Sequence, residues 1–90
     1  MNVVELMNAA KVAEELSRSR HKQIRLVLTP SGVLLDGELY RADGIVMDRY
    51  RTELDWALIE GDPAVIETQM RKLDSTIVAD WRNEAPPKEP

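Results

Sequence analysis

Apolar residues recur along this chain at two different periods, and the change between them divides it into parts. From Asn2 to about Arg20 the positions Val3, Leu6, Ala9, Ala10, Ala13 and Leu16 fall on one face at helical spacing, with Asn2 placed to cap the start. No Gly or Pro interrupts this stretch, and its three alanines allow a neighbouring element to come close. From Gln23 the period becomes two. Ile24, Leu26 and Leu28 alternate with Gln23, Arg25, Val27 and Thr29, the pattern of a half-buried strand. Thr29-Pro30-Ser31-Gly32 is a turn, because proline presets φ at its second position and glycine closes it. Val33, Leu34 and Leu35 then run back as a second strand.

Asp36-Gly37 and Asp43-Gly44 are further turn signals, and two paths lead on from them. Glu38 to Ala42 extends the sheet and Ile45-Val46-Met47 follows as another strand, or the chain loops and a helix begins near Asp43. The helical spacing of Met47, Tyr50, Leu54, Ala57 and Leu58 through Glu60 favours the helix, with Asp48 as a later capping residue. The next boundary has a sharper signature. Glu60-Gly61-Asp62-Pro63 supplies a helix stop, an N-cap and a proline at the first helical position. The last helix reaches about Asn83 on a stripe of Ile66, Met70, Leu73, Ile77 and Trp81, flanked by Val65 and Val78. Residues 85–90, Ala-Pro-Pro-Lys-Glu-Pro, have nothing to pack and are expected to be disordered. The expected architecture is a small α+β domain of αββαα order over residues 1–84, one antiparallel β-hairpin packed on amphipathic helices. Two strands alone are not stable in water, so the hairpin must lean on the helices, with another chain as an optional further support.

Composition narrows the class. Ninety residues, 43% hydrophobic and 31% charged, are ordinary for one small globular domain. There is no apolar run of membrane-spanning length and no leader of signal-peptide type, and cysteine is absent, so a cytoplasmic protein without disulfides is expected. The net charge of −4 is unevenly spread. Arg18, Arg20, Lys22 and Arg25 crowd one short stretch around His21, whereas residues 36–67 hold nine acids against three arginines. A basic segment beside an acidic half points to electrostatic pairing, within the molecule or with a partner.

Catalytic and metal chemistry run out of residues. His21 is the single histidine, and neither a histidine-based metal site nor a Ser-His-Asp arrangement is expected around it. Asp36, Glu38, Asp43 and Asp48 lack the spacing of a calcium loop, and nothing beside them supplies a nucleophile, an oxyanion hole or a cofactor motif. No catalytic residue, metal or cofactor is expected. The basic run has no interleaved aromatics for stacking bases, and the chain is acidic, which argues against nucleic acid.

The order of elements and the text Leu16-Ser-Arg-Ser-Arg-His-Lys-Gln-Ile-Arg-Leu-Val-Leu-Thr-Pro-Ser-Gly-Val-Leu-Leu-Asp-Gly, followed by Tyr50-Arg-Thr-Glu-Leu-Asp-Trp-Ala-Leu, resemble the N-terminal docking domains of the TubC type. These belong to nonribosomal peptide synthetases, and related small domains are encoded by mobile elements. The resemblance covers about residues 12–60. It departs at Gln23, where the family has glycine, and at Ile45-Val-Met-Asp-Arg, where the family has Leu-Thr-Pro-Glu-Leu. It implies a homodimeric αββαα adaptor whose exposed hairpin receives a short partner segment as an added strand, with charges choosing the partner. A 90-residue chain is not itself expected to be a synthetase subunit, so the physiological partner does not carry over.

A non-enzymatic docking module is therefore the expected function. Arg25, Val27 and Thr29, with Val33 and Leu35 opposite, frame the receiving edge; Arg18, Arg20 and Lys22 steer an acidic segment. Trp56 falls off the main face of its predicted helix and reads as an exposed interface anchor. The alternative is a small acidic inhibitor or decoy of the phage or mobile-element kind, offering Asp43, Asp48, Glu53, Asp55 and Glu60 to the basic surface of a nucleic-acid-processing enzyme.

Overall fold

The computed structural model describes residues 3–19 and 21–84, so Arg20, the capping role of Asn2 and the tail from residue 85 lie outside the described residues. Within them the chain forms α1 (Val3–Leu16), β1 (Lys22–Thr29), β2 (Gly32–Tyr40), β3 (Val46–Asp55), α2 (Trp56–Gly61) and α3 (Val65–Glu84). The class is α+β, and the hairpin packs on helices as the periodicity predicts. The order, however, is αβββαα, because residues 46–55 are a third strand and not a helix.

The three strands form an antiparallel meander in the order β1-β2-β3. Thr29 pairs with Gly32 across the two-residue turn, and Gly32 pairs with Asp55 on the other side, so β2 is central throughout. A register shift between Leu39 and Tyr40 pairs Tyr40 with Val46 and leaves Met47 out of the ladder. This explains how β3 resembles a helix in sequence. Tyr50 and Leu54 are four apart, a spacing that satisfies both periods, and Met47 joins them only because the bulge interrupts the alternation. Of the other two positions in that apolar set, Ala57 and Leu58 are exposed on α2, and Ile59 is the buried one.

One face of the sheet carries the core. Val33, Leu35 and Leu39 of β2, with Ile24 of β1 and Leu54 of β3, meet Ile66, Met70 and Ile77 of α3 and Ala9, Val12 and Ala13 of α1. The stripe on α3 is the predicted one, with Trp81 partly buried at its end against His21, ring centroids 4.5 Å apart. Asp55 caps α2 by accepting the Leu58 N–H at 2.8 Å, and Asp62 accepts the Ala64 N–H at 3.2 Å ahead of α3. Asp43-Gly44 is a turn, with Gly44 at φ 88°, a conformation that favours glycine.

Asp36-Gly37 is not a turn. Gly37 lies in the middle of β2 because α3 passes directly over it: a Cβ there meets Ile77 Cδ1 at 2.7 Å and Leu73 Cδ2 at 3.3 Å. Gly32 is more constrained, since its Cβ meets the Leu54 carbonyl oxygen at 1.9 Å. The two differ in what must yield. A leucine or isoleucine tip can rotate away; backbone in a paired strand cannot. Gly37→Ala is therefore expected to cost within the ordinary overpacking range of about 1–3 kcal/mol, and Gly32→Ala more than that range. Urea midpoints of the two variants at unchanged m-value test the ranking.

Candidate functional site

Among the described residues the sheet's second face carries no helix, and its centre is built of charges. Asp36 and Glu38 point outward from β2, between Arg25 on β1 and Arg49 and Arg51 on β3. Arg51 lies 3.5 Å from Asp36, while Arg25 and Arg49 each stand 3.7 Å from Glu38. Tyr40 donates its hydroxyl hydrogen bond to Glu38, with the Gln23 amide oxygen also within 3.0 Å. Acids on the central strand and arginines on both flanks neutralise one another, a pattern that favours opposite cross-strand pairs. Among the residues offered as an acidic decoy surface, Asp43 pairs with Arg41, Asp55 caps α2, and Glu53 shares its face with these arginines.

The candidate edge belongs to β1, but its residues differ from the expected set. The Tyr40 N–H donates to the His21 carbonyl at 2.7 Å, and peptide directions alternate along an antiparallel strand. His21, Gln23, Arg25, Val27 and Thr29 therefore direct their backbone groups inward to β2. Ile24, Leu26 and Leu28 direct theirs outward. Ile24 is already occupied: its N–H donates to Ser17 Oγ at 2.9 Å, and the Ser17 hydroxyl proton sits between Ile24 O at 3.0 Å and Ala13 O at 2.7 Å. The outward backbone groups beyond that point are those of Leu26 and Leu28, which the alternation of side chains alone had concealed. The closing pair of a two-residue hairpin fixes this parity, so the signal was present in Thr29-Pro30-Ser31-Gly32.

The remaining predicted residues scatter. Val33 and Leu35, 1% and 0% exposed, face the helices from the central strand and frame no edge. The third strand is the reason, since it takes the other side of β2. Lys22 is a structural cation, ion-paired with Asp74 of α3. Trp56 is half-buried against the core, and its indole N–H donates to the Pro30 carbonyl at 3.0 Å while its backbone N–H donates to Ser31 O at 3.1 Å. It clamps the β1–β2 turn to the start of α2 instead of standing out as an anchor. Arg18 and Arg25 remain exposed, as does Val27, and Thr29 uses its hydroxyl within the turn. Alongside β1 runs a groove of about 650 Å³ between that strand and α1, lined by Ala13, Glu14, Ser17, Arg18, Ile24 and Leu26 among others.

Among the described residues no cluster of three or more His, Asp or Glu side chains is arranged to hold a metal ion, and no helix is long and apolar enough to cross a membrane. Comparison of the chain with protein-family models, with curated proteins and with solved structures finds no match.

Two expectations follow from this geometry. Ser17→Ala strips both edge groups of Ile24 of their partner and is expected to cost about 1–2 kcal/mol, read from the urea midpoint. The Tyr40 hydroxyl is held above its ordinary value of 10.0, first by its hydrogen bond to Glu38 and then by burial. The neutral phenol is thus the form that the fold favours, so its contribution is complete below 10.0 and is lost as pH rises through the raised value. Glu38→Gln should move the Tyr40 ring titration, followed by NMR, downward.

Proposed function

We propose that this chain is a non-enzymatic docking module that receives an extended segment of a protein partner as a fourth strand along β1. One observation carries the reading. β1 is a sheet edge whose outward amide at Leu26 opens beside the groove along α1, with that of Leu28 following beyond the groove, and Leu28 itself is 55% exposed. Backbone pairing supplies affinity in such a site, and the neighbouring side chains supply selectivity. Arg18 and Arg25 flank the groove, so an incoming segment that carries acids beside alternating apolar residues is the best complement. The resemblance to TubC-type docking domains supports the same mode of binding, although a third strand takes the place where that pattern has a helix. A cytoplasmic setting fits a cysteine-free chain of this kind.

Parity decides how this is tested. Proline at Val27 removes a hydrogen bond to β2 and damages the hairpin itself. Proline at Leu28 removes an outward donor and leaves the ladder intact. Peptides selected from a displayed random library against the immobilised protein should share an alternating apolar and acidic pattern. They should bind Leu28→Pro at least tenfold more weakly, a loss of about 1.4 kcal/mol, with circular dichroism unchanged. Raising the salt should weaken them only in part. Undiminished binding to a folded Leu28→Pro protein would rule out strand addition at β1.

A further inference from the structure

The opposite edge of the sheet has a different character. β3 is ten residues long, and on the side away from β2 no other strand pairs with it among the described residues. By the same alternation its outward backbone groups belong to Arg49, Arg51, Glu53 and Asp55. Their side chains all stand on the open face, and all four residues are exposed. Long edge strands are commonly guarded by charge, and a guard of one sign repels every copy of itself. Here the row is split: two arginines, then two acids.

That order is self-complementary. When two β3 strands pair antiparallel about a two-fold axis at Thr52, Arg51 lies opposite the second copy's Glu53, and Arg49 lies opposite its Asp55. Symmetry repeats both, so four cross-strand pairs form and every one joins opposite charges. These are also the positions whose backbone groups point outward, so the register that pairs the charges is one that backbone hydrogen bonding permits. On the helix side Tyr50 then lies opposite Leu54, and Thr52 lies opposite itself. Moving the axis by one residue halves the number of opposite pairs and sets like charges at the centre. Centred on Arg51 it sets arginine against arginine, and centred on Glu53 it sets acid against acid, arrangements that are destabilising when directly opposed.

The side chains are placed for this role. Glu53 makes no ion pair among the described residues, and Arg49 and Arg51 reach Asp36 and Glu38 only at 3.5–3.7 Å while remaining largely exposed. Asp55 uses Oδ1 to cap α2 and has its second oxygen for a partner. We infer that β3 is the contact between two copies of this chain, joined antiparallel about Thr52 into a continuous six-stranded sheet with all helices on one face. An isologous interface of this kind needs one surface that complements itself, which is what this row of charges provides. The inference stands apart from the peptide edge, because it uses the other side of the sheet and a different measurement.

The test is a charge exchange read by sedimentation equilibrium. The wild-type chain should sediment as a dimer of the 10.2 kDa protomer, with dissociation promoted by salt. Arg51→Glu sets two acids face to face and Glu53→Arg sets two arginines face to face, so each alone should dissociate at least tenfold more readily. Mixing these two variants restores every opposite pair across the axis and should give a heterodimer. The double variant R51E/E53R should recover the homodimer. Because the chain lacks cysteine, Thr52→Cys also places a single thiol on the axis, where facing Cα atoms of a non-hydrogen-bonded pair are about 4.5 Å apart and within disulfide reach. It should oxidise to a covalent dimer far faster than a thiol introduced at exposed Ser75. A wild-type chain that stays monomeric at high concentration overturns the inference. So does a dimer that is indifferent to Glu53→Arg, or one that the double variant fails to restore.

Discussion

The close passage of α3 across the middle of β2 is the constraint on which the rest of the molecule depends. It is possible because Gly37 offers no side chain beneath Leu73 and Ile77. With the helix seated there, Val33, Leu35 and Leu39 are sealed on one side, and β2 becomes a strand that must be paired along both flanks. Everything else is arranged around that strand. α1 closes the core beside β1, and Asp74 and Asp80 of α3 reach Lys22 and Tyr50 at the rim. Gly32 then lets the carbonyl of Leu54 approach, so that the first turn and the end of β3 lie against one another.

A central strand held this firmly leaves two edges, and the chain treats them differently. β1 is lined with leucines and partly blocked by a hydroxyl. β3 is lined with charges in an ordered row. The open face between them is close to neutral, because the acids of β2 lie between the arginines of its neighbours. The acidic excess read along the sequence is therefore dispersed by the pleat.

What was legible in the sequence follows from which signals are local. α1, β1, the Pro30-Ser31 turn and the apolar stripe of α3 each rest on a period or a turn residue within a short window, and all are found. β3 was not legible, because Tyr50 and Leu54 satisfy two periods at once and the bulge at Met47 removes the alternation that separates them. The difference between helix and strand here has wide consequences. As a helix, residues 49–55 scatter their charges around a cylinder; as a strand, they set Arg49, Arg51, Glu53 and Asp55 in line. Without β3, β2 would be an edge and Val33 and Leu35 would border it; with β3 paired, β2 is central and both belong to the core. Gly37 is ambiguous for a related reason: a glycine demanded by a distant helix looks, in sequence, like a glycine demanded by a turn.

The positions of the two tryptophans have an optical consequence. Trp56 is bonded to the Pro30 carbonyl at the turn end of the sheet, and Trp81 rests on His21 at the other end, beside Tyr40. Each indole reports a different terminus of the same three strands, and the chain contains no third. Emission from single-tryptophan forms of the protein therefore distinguishes fraying at either end from loss of the whole sheet, which makes the cooperativity of this small domain directly visible.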